Sequence, residues 1–119
     1  MSNSKHGLCL IINNEEYKSS STNRKGSEKD VEKLELLFQQ LRFKVLKKFN
    51  LTKIDMNKVL DDFANDKRHE RAEMSVVIIL AHGDQGLIEC VDGYHVRFLE
   101  FDLDYISMLL SEIEFIFSF

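Results

Sequence analysis

The fold is decided by a short apolar run, Met74-Ser75-Val76-Val77-Ile78-Ile79-Leu80-Ala81, which leads directly into His82-Gly83. The run is rich in β-branched residues and shorter than a typical helix, so it predicts a strand that is buried on both faces. A second run of the same kind, Gly7-Leu8-Cys9-Leu10-Ile11-Ile12, ends at Asn13-Asn14. Strands of this type are typical of parallel sheets, and these two are predicted to form the core.

Helix signals lie between the two strands. Ser27 followed by Asp30 resembles a capping box with Asp in place of Glu, and it predicts the start of a first helix. The apolar residues that follow have helical spacing and predict one apolar stripe: Val31, Leu34, Leu37, Phe38 and Leu41. A second helix is predicted after the cap Asn50-Leu51-Thr52, and its apolar positions are Ile54, Val59, Leu60 and Phe63.

The remaining segments complete an α/β pattern. Residues 42–49 predict a second, more exposed strand, because Phe43 and Val45 alternate among lysines. Residues 15–26 are polar and serine-rich, which predicts an exposed loop, while Asp92-Gly93 predicts a hairpin turn between two short strands. The order strand, helix, strand, helix, strand indicates an open three-layer α/β sheet with mostly parallel strands.

Composition narrows the class of protein. The 119 residues suit one domain, and a net charge of −4 argues against a nucleic-acid partner. The chain has two cysteines, an N-terminus without an apolar signal core, and no stretch of about 20 apolar residues, so we predict a cytoplasmic protein with reduced thiols and no membrane partner. No histidine–cysteine spacing suits a metal and no phosphate-binding glycine motif follows a strand, so no cofactor is predicted.

Two residues are candidates for chemistry, because active sites in α/β sheets gather at the carboxyl ends of the strands. His82 is placed like a general base, and the neighbouring Gly83 would let a backbone N–H approach a substrate carbonyl. Arg24 lies in the loop after the first strand, where a guanidinium could bind a substrate carboxylate. The alternative is that His82 is merely a polar loop residue and that Arg24 is one more solvated base.

Neither cysteine is a convincing nucleophile. Cys9 lies inside the first buried strand and is predicted to be a small core residue. Cys90 lies on the predicted hairpin, only a few residues after His82. A cysteine peptidase needs a thiolate beside its base, so the sequence supplies a candidate base without an obvious partner for it.

The order of these features resembles the large-subunit half of a caspase domain. The first strand with Asn13-Asn14 matches, as do the Asn50-Leu51-Thr52 cap and the Asp92-Gly93 turn. The more specific matches are Arg24-x-Gly26-Ser27-x-x-Asp30 and Ala81-His82-Gly83-Asp84-x-Gly86. The resemblance covers roughly residues 6–99, with mild departures at Ala81, where the family often has Ser, and at Ser27, where it has Thr.

The resemblance implies a cysteine-type endopeptidase that cleaves after aspartate, in programmed cell death or a related process. It implies that Arg24 binds the substrate aspartate, that His82 works with the catalytic cysteine and that Gly83 helps to form the oxyanion hole. The family signature Q-A-C-[RQG]-G follows the histidine by about 50 residues, near position ~132. We therefore expect a partial domain over residues 6–99, truncated before the cysteine and incomplete at its C-terminal side.

Residues 100–119 match nothing in that comparison and are rich in phenylalanine and acidic residues. Without its next neighbour, the Met74–Ala81 strand would have an open edge. The tail could fold back on that edge, dock on another caspase-like chain, or be a poorly folded C-terminus. Three functions follow: a caspase-lineage protein without activity of its own, an interaction protein that regulates a full caspase, or an unrelated α/β binding module.

Overall fold

A computed structural model describes residues 7–18, 23, 26–72, 74–84, 87–97 and 113–118, with backbone alone at 84, 97 and 113–118. In chain order its elements are β1 (Gly7–Asn13), α1 (Ser27–Gln40), β2 (Phe43–Phe49), α2 (Lys53–Ala64), a 3-10 helix (Lys67–Arg71), β3 (Ser75–Leu80), β4 (Gly83–Asp84), β5 (Leu87–Glu89), β6 (His95–Arg97) and β7 (Ile113–Ser118). The chain has the predicted α/β class.

The main sheet has the strand order β2-β1-β3-β7, and each neighbouring pair is parallel. Every residue of β1 and β3 is buried, which explains why both sequences are apolar without alternation. Asn13 at the end of β1 lies level with Leu80 of β3 and with Phe49 of β2. Strand β2 is largely exposed and lies at the edge of the sheet. Its lysines disfavour pairing of this edge with a strand of another chain.

The two helices cover opposite faces of this sheet. Leu10 and Ile12 of β1 point toward α2, where they pack with Met56, whereas Cys9 and Ile11 point toward α1, where they pack with Val31. Because successive strand residues alternate between faces, one apolar strand supplies both cores. This arrangement is the three-layer architecture predicted from the sequence.

Two details of α1 differ from the prediction. The N-cap is Gly26 in the left-handed region at φ 86°, without a side-chain cap, while Ser27 lies inside the helix and is buried. The helix begins at Ser27 as predicted, but its N-cap is Gly26 and not Ser27, so the predicted capping box is wrong. The apolar stripe is also narrower than expected: Val31 is buried, but Leu37 and Leu41 are 48% and 46% exposed.

The start of α2 follows the prediction more closely. Thr52 is the N-cap, and its hydroxyl accepts a hydrogen bond from the Asp55 N–H at 3.2 Å. Leu60 and Phe63 are buried as expected, but Ile54 is 81% exposed and Met56, which the stripe omitted, is fully buried. The helix is therefore rotated relative to the stripe assigned from Ile54.

A small antiparallel sheet, in the order β4-β5-β6, follows β3. The hairpin predicted around Asp92-Gly93 is confirmed by pairing of Ile88 with Val96. Both residues are fully buried against the α2 face of the main sheet. Strand β4 was not predicted: Gly83 pairs with Ile88 in an antiparallel ladder, so a short strand begins directly after His82.

Strand β7 lies on the side of β3 that faces away from β1. Its pairing runs from Ser75 with Ile113 to Leu80 with Ser118. Of the three alternatives for the tail, this pairing is the arrangement that fold-back on the open edge of β3 would produce. Residues 98–112 and 119 lie outside the described residues. Among the described helices, none is long and apolar enough to cross a membrane.

Candidate active site

His82 lies at the carboxyl end of β3, where the chain leaves the main sheet. Its side chain is half-buried, and the preceding Ala81 is completely buried. The backbone of His82 is held on both sides: its N–H donates to the hydroxyl of Tyr17 at 2.8 Å, and its carbonyl accepts from the N–H of Glu89 at 2.8 Å. The histidine is therefore attached to a fixed main chain at the edge where α/β enzymes place their sites.

Tyr17 also contacts the imidazole. The ring centroids of Tyr17 and His82 are 4.7 Å apart, with planes inclined at 35°. Tyr17 is only 8% exposed, although it belongs to the stretch predicted to be an exposed loop. That prediction is wrong at this residue, because the polar composition of the loop concealed one aromatic side chain that packs inward.

Asn14 links the segments that surround His82. Its side chain is fully buried; its Oδ1 accepts from the Leu51 N–H at 2.9 Å and its Nδ2 donates to the Glu89 carbonyl at 3.2 Å. Its backbone N–H donates to the Leu80 carbonyl at 2.8 Å. One asparagine thus joins the end of β1 to the segment that leads into α2, to the end of β3 and to β5.

The loop that carries Tyr17 is anchored by two further asparagines. Oδ1 of Asn50 accepts from the N–H groups of Glu15 and Glu16 at 3.0 and 2.9 Å, and Oδ1 of Asn23 accepts from the Tyr17 N–H at 2.8 Å. Asn50 adopts a φ of 54°, in the left-handed region that asparagine tolerates better than most residues. These bonds replace the regular ladder that a strand would provide.

The other candidate residues fall at different distances from this edge. Gly83 follows His82 in the chain and is half-buried, whereas Arg24 lies outside the described residues. Cys9 lies level with Val76, six residues before His82 along β3, which corresponds to about 20 Å at ~3.3 Å per residue. The described structure therefore joins His82 with Gly83, and it separates His82 from Cys9.

Neither cysteine has the properties of an activated thiol. Both side chains are fully buried. Burial raises the pKa of the Cys9 thiol to about 12, so the thiolate is scarcely populated at neutral pH. The prediction that Cys9 is a core residue is confirmed. Catalysis needs the thiolate, so Cys9 does not supply it.

A second histidine has well-defined partners, but it lies at the opposite edge of the sheet. Nε2 of His69 is 2.7 Å from the Phe63 carbonyl, so it donates, and Nδ1 therefore accepts from the Ser75 hydroxyl at 2.7 Å. Burial lowers the pKa of His69 below its ordinary value. Ser75 begins β3 and is 2% exposed, so this pair joins the 3-10 helix to the strand, and both ring nitrogens of His69 are engaged.

Comparison with known proteins decides the family. The model of the caspase domain matches residues 6–116 of this chain. The chain belongs to the caspase family. It is 36% identical over 88 residues to caspase a of Danio rerio, covering 74% of this chain and 23% of that protein. It is 35% identical over 89 residues to caspase-3 of Mesocricetus auratus, covering 73% of this chain and 32% of that protein.

A nematode relative gives the same result. The chain is 36% identical over 91 residues to cell death protein 3 of Caenorhabditis remanei, covering 76% of this chain and 17% of that protein. The caspase chain thus spans a third or less of each of these three relatives. The resemblance stated from the motifs is confirmed at the level of the family.

The polar residues that hold His82 were missed by the sequence reasoning. Asn14 was assigned only to the end of a strand and Tyr17 to an exposed loop. In the structure Tyr17 accepts a hydrogen bond from the His82 N–H, and Asn14 donates one to the Leu80 carbonyl. The one available signal was Tyr17 itself, an isolated aromatic residue four positions after β1 in a stretch that is otherwise polar.

Proposed function

We propose that this caspase chain carries the base-bearing half of an aspartate-directed cysteine endopeptidase site. His82 is the group that pairs with a catalytic thiolate, the Gly83 N–H is a donor for the developing oxyanion, and Arg24 binds the substrate aspartate. The observation that carries the proposal is His82 itself: half-buried, fixed through its main chain, and located at the carboxyl end of the central strand β3.

The nucleophile has to come from a residue other than Cys9 or Cys90. Both are fully buried, and Cys9 keeps its proton at neutral pH. We therefore expect no peptide hydrolysis by these 119 residues alone, because the covalent route needs a thiolate. Support for the location of the nucleophile comes from β7, because Ser118 lies level with Leu80. Extending the parallel register of Ser118 with Leu80 by two positions would bring a residue added directly after Phe119 level with His82, earlier in the sequence than the position near ~132 implied by the signature spacing.

A chain with one cysteine added after Phe119 tests this proposal. The probe is a peptide chloromethyl ketone with aspartate next to the ketone, and an asparagine analogue is the matched control. The thiolate forms a bond to the methylene carbon and chloride leaves, so mass spectrometry detects the adduct. The proposal requires labelling at the added cysteine, faster with aspartate than with asparagine, and none in the unmodified chain.

The role of Arg24 is tested with its neighbour as the control. Arg24→Ala is expected to remove the preference for the aspartate probe, because the carboxylate then has no bidentate partner. Lys25→Ala removes the same charge one residue away and is expected to keep the preference. Equal loss in both variants would show a general charge effect and would contradict the role assigned to Arg24.

A further inference from the structure

We infer that Tyr17 is a positioning residue for His82, and that it acts through two separate contacts of one side chain. Its hydroxyl holds the main chain at His82, and its ring sets the orientation of the imidazole. The consequence for catalysis rests on the proposed function of His82. The geometry itself does not depend on that function and can be tested alone.

The two contacts restrict different parts of the histidine. The hydrogen bond from the His82 N–H to the Tyr17 hydroxyl, 2.8 Å long, fixes the backbone and therefore the direction of the Cα–Cβ bond. The aromatic contact, with centroids 4.7 Å apart, restricts rotation of the imidazole about its last side-chain torsion. Together they define where the ring nitrogens lie relative to the edge of the sheet.

A positioning residue must itself be fixed, and Tyr17 meets this requirement. It is 8% exposed, its own N–H is bonded to Asn23, and the N–H of Lys18 donates to the Val91 carbonyl at 2.8 Å. Tyr17 is therefore held between the loop before α1 and the hairpin that follows His82. A displacement of this loop would move the histidine with it.

The hydroxyl and the ring can be separated by substitution. Phenylalanine would keep the aromatic contact and lose the hydrogen bond, whereas leucine would lose both. Because misplacement of a catalytic group by about 1 Å can reduce a rate by roughly 100-fold, each contact is expected to affect the reaction. Tyr94, which is 65% exposed, offers a matched tyrosine without this packing.

The test is NMR spectroscopy of the 119-residue chain labelled with ¹⁵N and ¹³C. In Tyr17→Phe, exchange of the His82 amide is expected to accelerate about fivefold, the effect of one lost hydrogen bond, while the imidazole signals stay in place. In Tyr17→Leu the imidazole C–H signals are expected to move as well, because the ring current of Tyr17 is gone. Tyr94→Phe and Tyr94→Leu are expected to change neither.

A second measurement links position to chemistry. In the chain with the added cysteine, Tyr17→Leu is expected to slow alkylation of that thiol by iodoacetamide at pH 7 by tenfold or more, with partial recovery in Tyr17→Phe. Unchanged exchange of the His82 amide in Tyr17→Phe would overturn the inference, as would unmoved imidazole signals in Tyr17→Leu. If Tyr17→Leu does not fold, the phenylalanine variant decides.

These measurements separate this inference from the proposed function. If the NMR test fails, the pairing of His82 with an added thiolate can still be tested by the pH dependence of alkylation of that thiol. Conversely, if His82 holds no thiolate, the NMR result still establishes or refutes the contacts of Tyr17.

Discussion

Asn13 and Asn14 are adjacent, identical in side chain and both completely buried, yet their surroundings predict opposite effects on stability. Asn14 gives one hydrogen bond and accepts another, whereas both amide atoms of Asn13 have no partner in the part of the chain that the structure describes. Leucine has nearly the shape of asparagine without its polar atoms. The substitutions Asn13→Leu and Asn14→Leu therefore isolate hydrogen bonding from volume.

The magnitudes follow from what each substitution leaves behind. Asn14→Leu leaves the N–H of the buried Leu51 without its acceptor, and it removes the amide donor from the Glu89 carbonyl. A buried, unpaired group costs about 1–3 kcal/mol and a lost hydrogen bond about 1 kcal/mol, so the free energy of unfolding should fall by roughly 2–4 kcal/mol. Asn13→Leu removes an amide that has no compensation, and it should leave stability unchanged or raise it by about 1 kcal/mol.

The assay is urea unfolding followed by circular dichroism, with the slope m compared among the three proteins. For an m of about 1.5 kcal/mol per molar, a loss of 3 kcal/mol lowers the midpoint by roughly 2 M. The reasoning would be refuted if Asn13→Leu destabilised the chain as much as Asn14→Leu. That result would mean that the Asn13 amide has a partner of comparable strength.

Three further outcomes are expected. The free energy of unfolding should fall as the pH drops below about 6.5, because partial burial lowers the pKa of His69 in the folded chain and the unfolded chain takes up the proton first. In melting curves recorded at several pH values, the His69→Gln variant should lose this pH dependence of the free energy of unfolding. The His95→Gln variant should keep it. Gly7→Ala should lower the free energy of unfolding by more than about 2 kcal/mol, because an added Cβ would lie 1.8 Å from the Met74 carbonyl oxygen. Gly26→Ala should lower it by only about 1–2 kcal/mol, because the Cβ would enter open space and only the φ of 86° opposes it. Native Cys9 should resist iodoacetamide at pH 8 and react once urea exposes it, as mass spectrometry can show; rapid labelling in the folded chain would contradict its raised pKa.

The sheet was largely predictable, because burial on both faces leaves a simple sequence pattern. The β1 and β3 strands were found from continuous apolar runs, and β2 from its alternation with lysines. The helix faces were less predictable. Ile54 has the right spacing for a buried position but is exposed, because the rotation of α2 is set by contacts of Met56 with the sheet, which no local pattern encodes.

The sequence predicted the central residues of the candidate site but not the residues that hold them in place. His82 and Gly83 follow a recognisable strand, so their location could be inferred from order alone. The support depends on Tyr17 and Asn14, whose partners lie 65 residues away at His82 and 75 residues away at Glu89. Hydrogen bonds over such separations depend on the folded arrangement, and polar residues in a loop give little local sign of them.

The reactivity of one thiol tests the central claim, that His82 is the base of a cysteine-peptidase site, most directly. A cysteine is added after Phe119, and its alkylation by iodoacetamide is measured as a function of pH; the thiolate displaces iodide. The buried Cys9 and Cys90 serve as internal references. Lys58→Cys, at a position where the lysine side chain is 73% exposed, supplies an ordinary surface thiol without a neighbouring imidazole.

Our account predicts that the added thiol reacts with a midpoint near pH 7 or lower, because a neighbouring imidazolium stabilises the thiolate. His82→Ala should return the midpoint to about 8.5, the ordinary value for cysteine, and His95→Ala should leave it low. A midpoint of about 8.5 in the chain with His82 intact, equal to that of the Lys58→Cys thiol, would contradict the claim.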